Sequence, residues 1–145
     1  MIKSNTFYMM IIYKEFLYYT EKVLKKMGIS FGQLPFILYI GKNENCTPSD
    51  VKNNLKMDWG YVQRSISKLE KDDFISKYKD EGNKRGYCLK LTDSGCEVFE
   101  KIHEVFYSWD DEIKDSLSDE QWDEFGDLLC KIFNDRKSRR SNEEV

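Results

Sequence analysis

Proline is scarce in this chain: it occurs only at positions 35 and 48, and no stretch rich in proline, glycine and serine reads as a linker. Histidine occurs once, at position 103, which excludes a metal centre built from several histidines. The four cysteines, Cys46, Cys88, Cys96 and Cys130, lie far apart with no CxxC pair. That removes the usual zinc-ligand spacing, and a chain so rich in helical pattern is a poor disulfide scaffold, so a reducing, cytoplasmic compartment is the default expectation. No run approaches the ~20 apolar residues that cross a bilayer. The apolar run over residues 7–13 is too short and has no small-residue cleavage site, so neither a membrane span nor a secretory signal is expected. There is no glycine-rich phosphate loop, no nucleophile elbow and no arranged partner for the histidine. An enzyme is therefore the least favoured class, and no cofactor or metal is expected.

What is present is a segregated charge pattern. The chain has 145 residues, the size of one domain, with a formal net charge of −3 and a pI near 5.3. That average argues against nucleic acid, but it hides a division. Residues 1–49 carry six basic and three acidic side chains, residues 50–92 ten and seven, residues 93–135 three and fourteen, and residues 136–145 four and two. The acidity sits in one C-terminal segment. Because fields fade over a Debye length of roughly 8–10 Å, the front half can still offer a cationic face to phosphate.

The local patterns follow in order. Residues 6–27 read as a helix with Phe7, Met10, Ile11, Leu17, Val23 and Leu24 among its apolar positions, stopped by Gly28. Its apolar surface is wider than the stripe of about 100° that a helix in a small monomer needs, which suggests burial against a second chain. After Ser30, the residues Leu34, Ile37, Leu38 and Ile40 make a core helix ending near Gly41. Thr47-Pro48-Ser49-Asp50 is a strong helix start, with a capping threonine, proline at the first helical position and an acid in the first turn. A break at Lys56-Met57 precedes Asp58, a second cap, and Val62, Ile66 and Leu69 then define the buried side of another helix. Residues 74–79 and 87–91 read as paired strands around a seven-residue tip that carries Lys84 and Arg85. Helical register resumes from Thr92 through Val98, Ile102, Val105 and Phe106 to about Leu117. Ser118-Asp119-Glu120-Gln121 is a capping box before a last stripe of Trp122, Phe125, Leu129, Ile132 and Phe133. Residues 136–140 read as a frayed basic tail, with a phosphate contact as the alternative.

Two helices with a tight break, followed by a hairpin, is the plan of a winged helix-turn-helix, which lays one helix in a DNA major groove. Outward on that helix stand Trp59, Tyr61, Gln63, Arg64, Ser67, Lys68 and Lys71. Arginine and lysine pair with guanine edges or phosphates, glutamine bonds adenine, and hydroxyls reach phosphate. Such a face taken alone is usually just solvated. The basic hairpin directly after it tips the reading toward DNA, with Thr47, Ser49, Tyr61, Gln63, Arg64, Ser67, Lys68, Lys84 and Arg85 as the candidate contacts.

These residues give a specific resemblance. Thr47-Pro48 with Leu55, Val62-Gln63-Arg64 with Leu69-Glu70-Lys71, Phe74-Ile75, and Asn83-Lys84-Arg85 leading to Leu91-Thr92-Asp93-Ser94-Gly95 resemble the MarR family of bacterial transcriptional regulators. The resemblance implies a mainly α fold with a small β-hairpin wing. In it, residues 30–106 form the winged helix-turn-helix core, residues 1–27 and 107–136 form dimerisation helices, and residues 137–145 are a tail, all in one domain. It also implies that Arg85 enters the minor groove. Two departures stand out: Asn83 replaces the acidic residue of the wing signature, and Asp73 stands where a glycine commonly ends the recognition helix.

The function so implied is a homodimeric, sequence-specific regulator, a repressor, bound to a double-stranded operator and released by a small aromatic ligand. Phe7, Tyr8, Phe16, Phe31 and Phe36 are the candidate pocket walls, though most also suit a plain core. A thiol switch is the alternative trigger, with Cys46, in a loop-like segment, as the only cysteine to test, although an inert cysteine fits its neighbours better. From another class, the same fold can serve as a protein-interaction module without operator binding.

Overall fold

The computed structural model describes residues 3–79, 82 and 86–143. These fall into two compact units, residues 1–105 and 106–145.

In the first unit, α1 (Asn5–Lys26) closes at Gly28, whose φ of 75° is the left-handed conformation that glycine adopts freely. Gly28 N–H donates to Lys25 O at 3.2 Å and Ile29 N–H to Leu24 O at 3.0 Å, a Schellman closure with Leu24 and Ile29 both buried. A 3-10 turn, Phe31–Gln33, leads into α2 (Leu34–Lys42), which supplies Leu34, Phe36, Ile37 and Ile40 to the core.

The helix start at Thr47 is as read from the sequence. The Asp50 carboxylate accepts from Thr47 N–H and from its hydroxyl, both at 2.8 Å, while Asp50 N–H donates to Thr47 Oγ1 at 3.2 Å, and α3 (Pro48–Leu55) follows. Lys56, left-handed at φ 52°, makes the turn. α4 (Trp59–Lys71) then opens at Asp58, which accepts from Tyr61 N–H at 3.2 Å. Val62, Ile66 and Leu69 are buried, so α4 turns its 62, 66, 69 side inward as its spacing requires.

α4 also ends in a Schellman closure, with Asp73 at φ 63° in the glycine-like position. Asp73 N–H donates to Glu70 O at 3.1 Å and Phe74 N–H to Leu69 O at 2.9 Å. The substitution therefore leaves the turn intact and places its cost in backbone conformation. β1 (Ile75–Tyr78) and β2 (Cys88–Leu91) pair antiparallel, Ile75 opposite Leu91 and Tyr78 opposite Cys88. An isolated bridge between Cys46 and Leu89 ties the hairpin to the loop before α3. The expected tip residues Asp80, Glu81, Asn83, Lys84 and Arg85 lie outside the described residues.

α5 (Asp93–Lys114) is capped by Thr92, whose hydroxyl accepts from Gly95 N–H at 3.1 Å. Val98 and Ile102 join the core. In the second unit, Ser118 and Gln121 form the expected capping box, with Ser118 N–H donating to Gln121 Oε1 at 2.9 Å and Gln121 N–H to Ser118 Oγ at 3.2 Å. α6 (Asp119–Glu143) continues through the segment read as a frayed tail. No proline or glycine interrupts residues 127–143, and Arg139 pairs with Asp135 at 2.9 Å one turn earlier, which favours continuing the helix. Among the described residues, no helix is long and apolar enough to cross a membrane.

Candidate nucleic-acid interface

Burying one side of α4 exposes the other. Gln63, Arg64, Ser67 and Lys68 are all exposed, on a helix held from beneath by Val62, Ile66 and Leu69. At its start, Gln63 and Trp59 meet Thr47, Pro48, Ser49, Gly86 and Tyr87 around an open groove of about 460 Å³. The first turns of α3 and α4 and the two residues leading into β2 thus converge on one concave surface. Pro48, Trp59, Gly86 and Tyr87 line the groove without being among the sequence-based candidates. Trp59 was visible as an outward position of the helix, but Tyr87 enters only through the folding of the hairpin.

The remaining candidates take distinct places. Thr47 spends its hydroxyl on Asp50, so it positions the α3 N-terminus, while Ser49 in the same turn is exposed. Tyr61 donates its hydroxyl to Gly32 O at 3.4 Å, and its ring lies 6.0 Å from that of Phe36. It braces α4 against the entry to α2. A Cβ on Gly60 would stand 3.1 Å from Arg64 Nη1 and 3.2 Å from Asp58 Oδ2, so the missing side chain leaves room for the guanidinium beside the cap.

Cations next to the groove are partly held. Lys68 pairs with Asp72 at 3.0 Å, and Lys77 pairs with Glu70 at 3.0 Å while its ammonium sits 4.7 Å from the Tyr87 ring centroid. The hydrogen bond that Lys77 donates to Glu70 holds its pKa above the ordinary lysine value, so this charge is held on the hairpin. Lys84 and Arg85 lie outside the described residues.

The five aromatic pocket candidates are not gathered in one cavity. Phe36 is fully buried in the core, Phe31 lines a cleft beside α1, and Phe7 and Tyr8 stack edge-on with centroids 6.1 Å apart. Phe16 is half-buried on α1. Local sequence supplies aromatic residues but not the faces on which they end up.

Cys46 is buried at 5% exposure, and its backbone carbonyl accepts from Leu89 N–H at 2.8 Å. Burial, with the nearby Asp50 charge adding to it, pushes its thiol up to about 11. The thiolate that redox sensing needs is thereby disfavoured. A loop position suggested access, and the long-range bridge to the hairpin removes it.

A polar helix face displayed by a helix-turn-helix, with a hairpin beside it, defines the winged helix class of DNA-binding proteins. The comparisons narrow this. The family described as transcriptional regulator SarA/Rot matches residues 18–102. The HTH-type transcriptional regulator BilQ of Clostridium symbiosum is 36% identical over 132 residues, covering 91% of this chain and 92% of that protein. Among solved structures, Streptococcus pneumoniae FabT in complex with DNA has a TM-score of 0.81 at 25% identity, covering 92% of this chain and 95% of the other. A crystal structure of MarR has a TM-score of 0.83 at 19% identity, covering 98% of each chain, and is alike in fold.

The chain belongs to the MarR family of winged helix transcriptional regulators. It is a DNA-binding regulator of transcription, and these relatives are regulators rather than enzymes.

Proposed function

We propose that the chain acts as a homodimeric repressor that binds a pseudo-palindromic operator and leaves it on binding a small molecule. The observation that carries the reading is α4, which exposes Gln63, Arg64, Ser67 and Lys68 over a fully packed inner face. Two such helices, set about one DNA turn (roughly 34 Å) apart by a dimer, would enter successive major grooves. Gln63 and Arg64 would read base edges, Ser49, Ser67 and Lys68 would brace the backbone, and Lys84 and Arg85 would serve the wing.

Dimerisation is supported by apolar side chains left exposed on both terminal helices. On α1 these include Met9, Met10, Ile12 and Tyr13, and on α6 Leu128, Leu129, Ile132 and Phe133. Exposed apolar area of this extent is unusual for a monomer. The buried, high-pKa thiol of Cys46 favours ligand release over a thiol switch.

Fluorescence anisotropy with operator fragments selected from the source genome tests the assignment, with light scattering on the same sample reporting the oligomer. Arg64→Ala combined with Arg85→Ala is expected to weaken binding and flatten its salt dependence. Unchanged affinity and slope would sink the DNA-contact assignment, and a monomer in the bound complex would sink the dimer.

A further inference from the structure

The groove at the start of α4 differs in kind from the basic surface around it. Among the described residues that line it none is charged, and Pro48, Trp59 and Tyr87 give it apolar walls. The cations of this face are placed otherwise. The Arg64 guanidinium lies over Gly60 beside the Asp58 cap, Lys68 pairs with Asp72, and Lys77 pairs with Glu70. Phosphate is met by charge and by hydrogen-bond donors, whereas a neutral groove with apolar walls is matched to the edges of bases.

Trp59 is the lining residue that folding does not account for. It is the first residue of α4, and the core takes Val62, Ile66 and Leu69 from this helix while leaving the indole out. At 39% exposure it holds a large apolar surface in water, which a partner's apolar group would cover with gain. Gln63 follows four residues later on the same side of the helix and is also exposed. An indole and a side-chain amide therefore stand one above the other along a single groove. The hairpin's share of the groove is tied to the same helix: the Tyr87 ring centroid lies 4.7 Å from the Lys77 ammonium, which pairs with Glu70 of α4 at 3.0 Å.

We propose that Trp59 is a specificity-determining residue whose indole takes the C5-methyl group of a thymine in the major groove, within about two base-pair steps of the base that Gln63 meets. That methyl is the one apolar group the four bases present there, so an apolar wall in a neutral groove has a single natural partner. The spacing follows from the helix, since four residues rise about 6 Å and one base-pair step about 3.4 Å. The Gln63 amide offers a donor and an acceptor to an adenine edge, so the two side chains together select an A·T-rich element. This contact rests on the DNA-binding reading and adds to it a named residue and a named chemical group.

The test is fluorescence anisotropy of the full-length protein on a duplex selected from the source genome, with each thymine replaced in turn by deoxyuridine. The exchange removes the methyl and keeps O4 and the base pairing. At one thymine in each half-site it is expected to weaken binding by about fourfold, the worth of one buried methyl group. Trp59→Ala is expected to bind the thymine and deoxyuridine duplexes alike, and Trp59→Phe to keep most of the difference. Circular dichroism checks the fold of each variant, and Trp59→Gln replaces Trp59→Ala if the latter does not fold. No thymine sensitive to loss of its methyl, or a sensitivity that survives in Trp59→Ala, would overturn the proposal. A native chain that binds no selected duplex would sink the operator reading and this contact with it, whereas salt-dependent binding that ignores the methyl would sink the contact alone.

Discussion

Thr92 and Asp73 are joined by a hydrogen bond from the threonine hydroxyl to the aspartate backbone carbonyl. The same hydroxyl oxygen accepts from Gly95 N–H, so one side chain caps α5 and pins the left-handed turn that ends α4. The end of the recognition helix, the start of β1 and the start of α5 thus share a single joint. Thr92→Val, nearly isosteric, should lower stability by about 2 kcal/mol through loss of the cap and of this bond, and Thr92→Ser should recover most of it. Asp73→Gly should act the other way, raising stability by about 0.5–1 kcal/mol, since relief of the left-handed strain exceeds the added chain entropy of glycine. Urea unfolding of the three variants checks both signs, and a destabilised Asp73→Gly would show that the carboxylate does something in the turn beyond tolerating it.

Gly95 packs this joint from the other side. A Cβ built on it would stand 2.0 Å from the Phe74 carbonyl oxygen and 3.2 Å from Leu91 Cβ. The obstacle is backbone, which cannot rotate away as a side chain tip can. Gly95→Ala is expected to cost about 3 kcal/mol or more, a drop in melting temperature large enough to read by circular dichroism. Gly126→Ala is the control, since nothing among the described residues lies within 4 Å of a Cβ there.

These joints bear on how legible the molecule is from its sequence. Thr47, Asp58 and Ser118 announce three helix starts because capping is local chemistry, and each makes the bond its position implies. The buried triplet Val62, Ile66 and Leu69 is equally local, a matter of helical spacing. What could not be read is whatever depends on contacts between distant segments. The Cys46 bridge to Leu89 spans 43 positions, the Tyr61 hydroxyl reaches back 29 residues to Gly32, and Tyr87 joins the groove only through the hairpin. The length of α6 was misjudged for a different reason. Residues 136–140 suggested a tail because chain ends are poorly ordered unless tied down, while the i,i+4 pairing of Asp135 with Arg139 supports helix.

The Cys46 thiol gives a pH-dependent prediction. Its pKa is raised from 9.0 to about 11 in the folded chain, so between those values the native state holds a proton that the unfolded chain releases. The resulting stabilisation is complete below pH 9 and is lost as pH rises toward 11. The difference in stability between the native sequence and Cys46→Ala should therefore shrink across this window and stay flat below it. At neutral pH, brief treatment with iodoacetamide followed by mass spectrometry should label the exposed Cys96 and Cys130 and spare the buried Cys46 and Cys88. Labelling of Cys46 at a rate matching Cys96 would restore the thiol-switch reading.

The proposed roles on the exposed face of α4 can be separated by salt. Lys68 lies in the last turn of α4, where an ammonium group would meet phosphate and carry no sequence information. Gln63 lies nearer the start, lining the groove with Ser49 and Trp59, where a side-chain amide can bond a base edge. Lys68→Ala should weaken binding to cognate and scrambled duplexes alike and reduce the slope of log affinity against log salt by about 1. Gln63→Ala should leave that slope alone and cost about 1–3 kcal/mol on the cognate duplex only, narrowing the gap between the two. Anisotropy titrations at several salt concentrations on both duplexes distinguish the patterns. If Gln63→Ala changes the slope as much as Lys68→Ala does, or lowers affinity equally for both duplexes, the glutamine touches backbone, and base reading must then fall to Arg64 or to residues of the hairpin.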